Sequence, residues 1–378
     1  MTDAVKAFMS DHLGVIGMAG CDSLSQRVNN YLCEWRGVSS AQNGSGRQGF
    51  LIPTSCPRFG SGEAKGLIKH TIRGYDLFII SDVFNYGVTY SMYDMTVPMS
   101  PDEHYQDLKR VIAACGGKAK RINVIMPMLY EGRQHRRSSR ESLDSALALQ
   151  ELVNMGVENI ITFDAHDPRI QNAIPLHGFE NVKPTYQMLK ALVRRVPDIK
   201  INRDNLMIIS PDEGAMSRCI YYSSVLGVDL GMFYKRRNYS VIINGRNPIE
   251  AHEYLGNSVE GKDVIVVDDI ISSGDSMLDL ARQLHERKAR RVFVFATFGL
   301  FCDGLDKFDE AYSSGFINKV FTTNLVYRTP ELMKRPWYQE VDMSKYIAYI
   351  IDTLNRDTSI SNLLNPVERI TALIQNKR

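Results

Sequence analysis

Eight short runs of apolar, largely β-branched residues recur along this chain: Val15–Met18, Leu77–Ser81, Ile122–Pro127, Asn159–Phe163, Leu206–Ser210, Val264–Asp268, Arg291–Thr297 and Lys319–Thr322. Several are apolar throughout, the pattern of strands covered on both faces in a parallel sheet. Between them lie amphipathic segments such as Glu141–Met155 and Met277–Lys288. Strand and helix alternate, so the class is α/β, and the number of strands calls for two sheets.

The 378 residues suffice for two α/β domains with sizeable cores. Apolar residues make up 44% and charged residues 23%, values of a globular chain rather than a long disordered one. The 45 basic residues barely exceed the 43 acidic ones. A general binder of nucleic acid or of a membrane surface carries a larger basic excess, so functional charge here is local. Cys21, Cys33, Cys56, Cys115, Cys219 and Cys302 are scattered without a CxxC pair. The first residues lack the apolar core of a signal peptide, and no stretch approaches the roughly 20 apolar residues of a membrane helix. Reduced thiols in the cytoplasm are the expectation, with no membrane and no nucleic-acid partner.

Three regions break the rhythm. Arg36–Pro57, rich in Gly, Ser and Gln, reads as an insertion or mobile loop. Phe84–Pro101, with Tyr86, Tyr90 and Tyr93, reads as an ordered excursion. Arg236–Glu250 starts basic and passes through a Gly-Arg-Asn-Pro turn.

The strongest local signal is VIVVDDIISSGDSML, Val264 to Leu278. A buried strand ends in Asp268 and Asp269, a short hydroxyl-rich loop follows, and a helix begins. Ligands of open α/β sheets sit beyond the carboxyl ends of strands. The helix start offers unpaired N–H groups to a phosphate. Ser272, Ser273 and Ser276 add hydroxyl donors, and Gly274 lets the backbone curl. Carboxylates repel phosphate, so the two acids make sense as acceptors for a sugar diol whose phosphate lies in the loop beyond. The plainer reading is a turn into a helix capped by Asp275 or Ser276; the paired acids favour a ligand.

This segment resembles the phosphoribosyl-pyrophosphate loop shared by type I phosphoribosyltransferases and ribose-phosphate pyrophosphokinases. The family pattern has an acid or alanine at Ser272 and a small uncharged residue at Asp275. Four further motifs, in the pyrophosphokinase order, separate the two families. Arg58–Glu63 (RFGSGE) resembles the segment that reaches the adenine of ATP in a neighbouring subunit, with Phe59 and Glu63 matching and Ser61 standing for aspartate. After the strand at Ile122–Pro127, GRQHRR resembles the family's Ala-Arg-Gln-Asp-Arg stretch, with His135 in place of the aspartate. Arg133, Arg136, Arg137 and Arg140 crowd there, at a cost unless they are solvated or face an anion. DAHDPRIQ, Asp164–Gln171, resembles Asp-Leu-His-(Ala/Ser)-Glu-Gln-Ile-Gln, whose histidine helps hold magnesium. Asp212, after another strand, matches a second metal position. Phe233–Arg237 (FYKRR) resembles the Asp-Lys-Arg-Arg root of a catalytic loop, and an extended strand end would turn Lys235 and Arg237 to one side. Each motif alone is matched by a bland reading: a turn, a solvated basic loop, a structural histidine, a basic strand end. Their order carries the resemblance, which runs from about residue 14 to NRDTSISNLL near the C-terminus.

The resemblance implies transfer of the β,γ-pyrophosphoryl group of ATP to the anomeric hydroxyl of ribose 5-phosphate, with AMP leaving. It implies catalytic Lys235 and Arg237. ATP would be held by Phe59, Ser61, Gly62, Glu63, Arg133 and Gln134, and Mg2+ by His166, Asp212 and Asp164. Ribose 5-phosphate would be held by Asp268, Asp269, Ser272, Ser273, Gly274, Asp275 and Ser276. Two similar domains are implied, each a mostly parallel sheet flanked by helices as in type I phosphoribosyltransferases, with the active site between them. Residues 1–180, completed by a C-terminal helix over 344–378, would form the first and 181–343 the second. A homo-oligomer, a hexamer or another dimer-based assembly, would follow. The rivals are a base phosphoribosyltransferase, the same chemistry on a larger ribose 5-phosphate derivative, and a non-catalytic regulatory relative.

Overall fold

The structure, a computed structural model, describes residues 12–40, 48–237 and 249–377, with backbone alone at 235–237, 249–252 and 376. It divides into two compact units. Met1–Lys183, Asn324–Tyr327 and Asp342–Asn365 make the first, and Pro184–Thr323, Arg328–Val341 and Pro366–Arg378 the second.

The first unit runs β1 (Leu13–Gly17), α1 (Asp22–Arg36), β2 (Thr54–Ser55), β3 (Leu67–Ile68), β4 (Asp76–Ile80), β5 (Thr89–Met92), β6 (Met95–Pro98), α2 (Pro101–Cys115), β7 (Arg121–Ile125), α3 (Asp144–Asn154), β8 (Asn159–Phe163), a 3-10 turn at Pro168–Ala173 and β9 (Gly178–Val182). Its sheet has the order β1-β4-β7-β8-β9 and is parallel throughout. Strand β4 is buried at every position because both faces are covered, which is why its sequence reads as an unbroken apolar run. Ile16, Leu77, Ile79, Val124 and Ile160 pack with Leu108 and Val111 of α2 and with Leu149 and Leu152 of α3.

The expected excursion at Phe84–Pro101 is the β5–β6 hairpin, turned by Tyr93 and Asp94 with φ of 48° and 61°. Two consecutive left-handed residues match the twist of a two-residue hairpin loop. Ser100 then starts α2 through a capping box with Glu103. Within Arg36–Pro57, residues 41–47 lie outside the described residues. The end of that region is not a loose insertion: Phe50 and Ile52 exchange backbone bonds with Val15, extending the edge of β1.

The second unit runs α4 (Thr185–Arg195), β10 (Leu206–Ser210), α5 (Met216–Leu226), β11 (Asp229–Arg237), β12 (Ile249–Leu255), β13 (Asp263–Ile271), α6 (Asp275–Glu286), β14 (Arg291–Gly299), α7 (Asp306–Ser313), β15 (Lys319–Thr323), α8 (Pro330–Met333) and β16 (Tyr338–Val341). The sheet order is β12-β11-β10-β13-β14-β15-β16, parallel except for the antiparallel edge pair β11–β12. Its core joins Val264, Val266, Val294 and Val320 to Leu280 and Leu284 of α6 and to buried Trp337.

The chain then forms α9 (Ser344–Asn355), α10 (Ser361–Leu364) and α11 (Val367–Ile374). Contrary to the expectation for 344–378, this end is shared between the units. Helix α9 packs on α1 of the first unit, and its end is tied there by Asn355 donating to buried Asp76 at 2.9 Å. Pro366 interrupts the run, and α11 packs on α4 and α5 of the second unit, burying Ile370 and Ile374. Among the described residues, no helix is long and apolar enough to cross a membrane.

Candidate functional site

Asp164, His166 and Asp212 stand just beyond the carboxyl ends of parallel strands, where ligands of open α/β sheets bind. The first unit carries the adenine-side and arginine-rich segments. Arg58–Glu63 folds as a tight turn in which Phe59 N–H donates to Glu63 O at 2.7 Å and Gly62 N–H to Phe59 O at 2.9 Å. Gly62 has φ +93°, a conformation that favours glycine. Arg58 is withdrawn from any ligand, since its guanidinium donates to both oxygens of Asp107 at 3.0 and 2.9 Å and lies over the Tyr90 ring. Phe59, 54% exposed, presents its ring to solvent. Ser61, the departure from aspartate, donates to Glu63 Oε2 at 2.8 Å, so the position holds the glutamate by a hydroxyl. The hairpin is fastened to this turn by Tyr93 N–H donating to Gly60 O at 3.0 Å.

After β7 the chain turns through Glu131, at φ +53°, to Arg133 and Gln134, both exposed. Ser145 of α3 donates to Gln134 O at 2.7 Å and holds the turn. Directly after β8 comes Asp164, which has φ +42° and is 6% exposed. A buried left-handed aspartate is a strained position of the kind kept at functional sites. The ring of His166 meets that of His135 edge-on, with centroids 5.3 Å apart.

The second unit carries the sugar-side loop. Strand β13 runs past the two acids to Ile271, three residues beyond the expected end, because Ile270 and Ile271 still pair with Phe298 and Gly299. Asp269 N–H donates to Asp268 Oδ1 at 2.8 Å. Burial, and then the neighbouring charge of Asp269, push the Asp268 carboxyl well above the usual carboxylate range. Arg218 opposes this from α5, with Nη1 3.9 Å from Asp268 Oδ1 and Nη2 3.9 Å from Asp269 Oδ2.

Ser272 and Ser273 follow, both half-buried, and the N-cap of α6 is Gly274 rather than Asp275 or Ser276. Gly274 has φ +89°, and a Cβ there would stand 2.4 Å from the Phe308 ring. Only glycine fits. Asp275 turns to Lys307 of α7, whose Nζ donates to Oδ1 at 2.6 Å, and this partner holds the Asp275 carboxyl below its ordinary range. The acid at the start of α6 is thereby paired with a cation.

Asp212 follows β10 and accepts a hydrogen bond from Ala215 N–H at 3.2 Å. Lys235 and Arg237 stand in the last positions of β11, where the pairing with β12 shifts register between Arg236 and Arg237. The extra residue at that shift is Glu250 of β12, and the side chains of Lys235 and Arg237 lie outside the described part of the structure. So do residues 238–248 of the Arg236–Glu250 region. Among the described residues, no three His, Cys, Asp or Glu side chains gather as a metal cage. Arg218 is the residue that the sequence reading missed. Its signal was a cation in the first turn of a helix, where the dipole disfavours it unless an anion is near.

A family model for the N-terminal domain of ribose phosphate pyrophosphokinase matches residues 13–156, and one for a phosphoribosyl synthetase-associated domain matches 246–365. The chain is 27% identical to the ribose-phosphate pyrophosphokinase of Vibrio parahaemolyticus over 83% of its own length and 92% of that protein's. It is 28% identical to that of Shewanella oneidensis over 82% of this chain and 89% of that one. The crystal structure of phosphoribosylpyrophosphate synthetase from Mycobacterium smegmatis superposes with a TM-score of 0.72 at 19% identity, covering 92% of this chain and 99% of that one.

Proposed function

The chain belongs to the ribose-phosphate pyrophosphokinase family, and we propose that its residues divide the reaction of that family between a nucleotide-holding first unit and a pentose-holding second unit. The enzyme moves the β,γ-pyrophosphoryl group of ATP to the anomeric hydroxyl of ribose 5-phosphate and releases AMP. The observation that carries the residue assignment is the Asp268–Asp269 pair at a strand end, faced by Arg218 and followed by the Gly274 turn into α6.

Asp268 and Asp269 accept hydrogen bonds from the ribose hydroxyls. Ser272, Ser273, Ser276 and the backbone N–H groups around Gly274 hold the 5-phosphate at the start of α6. With Asp275 engaged by Lys307, that end keeps its positive character. On the other substrate, Phe59 stacks on adenine while Gly62 and Glu63, the latter steadied by Ser61, contact its edge. Arg133 and Gln134 orient the phosphates.

Magnesium would take one or two of the carboxylates among Asp164 and Asp212, or the His166 ring, together with substrate phosphates. When bound it neutralises charge on the phosphate oxygens. Phosphoryl transfer depends mainly on alignment and on neutralising spreading charge. Lys235 and Arg237 supply cationic donors to the equatorial oxygens of the transferring group.

The six cysteines are all free, four of them buried, which supports a reducing, cytoplasmic setting. A homo-oligomer accompanies this reading, in which Phe59, exposed on the RFGSGE turn, would reach a second chain. The test is mass spectrometry of products from ATP, magnesium and a panel of ribose phosphates. AMP with phosphoribosyl pyrophosphate is expected. AMP with a pyrophosphorylated larger acceptor would move the specificity, and absence of AMP with every acceptor would overturn the activity.

A further inference from the structure

Two departures from the family pattern meet in space. His135 stands where the pattern has aspartate, and Asp167 stands where it has alanine or serine. His135 Nε2 lies 3.3 Å from Asp167 Oδ2, so a carboxylate missing from the arginine-bearing turn reappears opposite it, on the turn that follows His166. We propose that His135 and Asp167 form a clamp that fixes the turn Glu131–Arg137 against the end of β8 and so sets the affinity for ATP, with His135 a positioning residue.

The clamp has one rigid jaw. Asp167 caps the 3-10 turn at Pro168–Ala173: its Oδ1 accepts from Arg169 N–H at 2.9 Å, and the Arg169 guanidinium donates to both oxygens. Its carboxylate is therefore held before His135 arrives. The other jaw is the turn, where Arg133, Gln134, Arg136 and Arg137 are all exposed while the His135 side chain is 14% exposed. Of these five consecutive residues, His135 is the one turned inward. Crowded like charges drive such a turn apart. The backbone bond from Gln134 N–H to Glu131 O and the Ser145 hydroxyl restrain its start. His135 restrains its middle. Its ring also meets His166 edge-on, so one imidazole spans from the nucleotide-side turn to the strand end that bears Asp164 and His166. The two unusual residues are then one exchange: the pattern's acid moved across the contact, and an imidazole took its place.

This inference rests on the ATP-binding role given to Arg133 and Gln134. It is tested on the full chain by measuring the ATP dissociation constant by titration calorimetry without acceptor, alongside KM for each substrate and kcat. His135→Phe keeps a ring and deletes the polar contact; His135→Gln keeps a polar group near the place of Nε2. His135→Phe is expected to weaken ATP binding about fivefold, the size of one partly buried polar or charged contact of about 1 kcal/mol. KM for ribose 5-phosphate should stay unchanged, and His135→Gln should recover most of the affinity. Asp167→Ala should match His135→Phe, and the double variant should be no worse than either single one.

ATP affinity at the wild-type level in His135→Phe, or losses that multiply in the double variant, would overturn the clamp. A loss shared by His135→Gln would assign the effect to packing and overturn it too. Wild-type protein that binds ATP but makes no phosphoribosyl pyrophosphate would refute the activity while leaving the clamp to stand on affinity alone. Wild-type protein that binds no ATP would refute both.

Discussion

Replacing Arg218 by leucine probes the arrangement on which the pentose assignment depends. The guanidinium lies 3.9 Å from each of two acids, with side-chain exposures of 12% for Arg218, 24% for Asp268 and 7% for Asp269. At that distance and an effective dielectric constant of about 20, each contact carries about 4 kcal/mol of gross attraction. Desolvation of the charges takes back much of this, and removing one partner of a buried pair typically costs about 3–5 kcal/mol. Contacts of 3.9 Å are longer than direct hydrogen bonds, which places Arg218→Leu at the lower end, about 3 kcal/mol.

The loss has a pH signature. Burial and Asp269 already raise the Asp268 carboxyl, and Arg218 is the charge that pulls it down. Without Arg218 it rises further. An acid whose folded pKa lies above its unfolded value of about 3.9 gives stability that is whole below that value and is lost as pH rises through the folded one. The deficit of Arg218→Leu against wild type should therefore grow as pH rises and shrink on acidification. Urea unfolding between about pH 5 and pH 8 measures it. Asp268→Asn in the same chain removes the repulsion, so the double variant should be more stable than the sum of the single losses allows. KM for ribose 5-phosphate should rise about tenfold or more in Arg218→Leu, with KM for ATP little changed. A deficit independent of pH, together with additive losses in the double variant, would show that Arg218 does not neutralise these acids.

Two further substitutions address other parts of the site. Lys235→Ala should lower kcat by about 10³-fold, as when comparable charge-stabilising groups are removed, while unfolding in urea stays near wild type; turnover near normal would remove Lys235 from the catalytic set. Gly274→Ala forces a side chain into a left-handed position at φ +89° and against the Phe308 ring, so a loss of about 2–4 kcal/mol is expected. It should also weaken binding of ribose 5-phosphate, and an unfolding midpoint equal to wild type would contradict the packing described around the loop.

What the sequence discloses is what short stretches of chain decide by themselves. Strands β8 and β10 were readable to the residue because nearly every position is buried and most are apolar, Asn159, Thr162 and Ser210 being the polar ones. Strands β9 and β16 are edges of their sheets, only partly buried, and carry Glu180, Asn181, Gln339 and Glu340, so no apolar run announced them. The sugar-side loop was readable because two acids, a glycine and a helix start lie within one strand and turn.

Asp275, His135 and Arg218 were not readable for a common reason: each meets a partner elsewhere in the chain. Asp275 looked repulsive to a phosphate until Lys307 of α7 was found against it. His135 had no meaning without Asp167. Arg218 was an ill-placed cation at a helix start until the acids of β13 came beside it. Ser61 makes the same point at short range, since its hydroxyl only matters because it reaches Glu63. Each lone change looks like damage to a ligand site, whereas the fold gives each a partner. A substitution that breaks one partner of such a pair should therefore be more harmful than reverting both, and a site built this way tolerates exchange in twos.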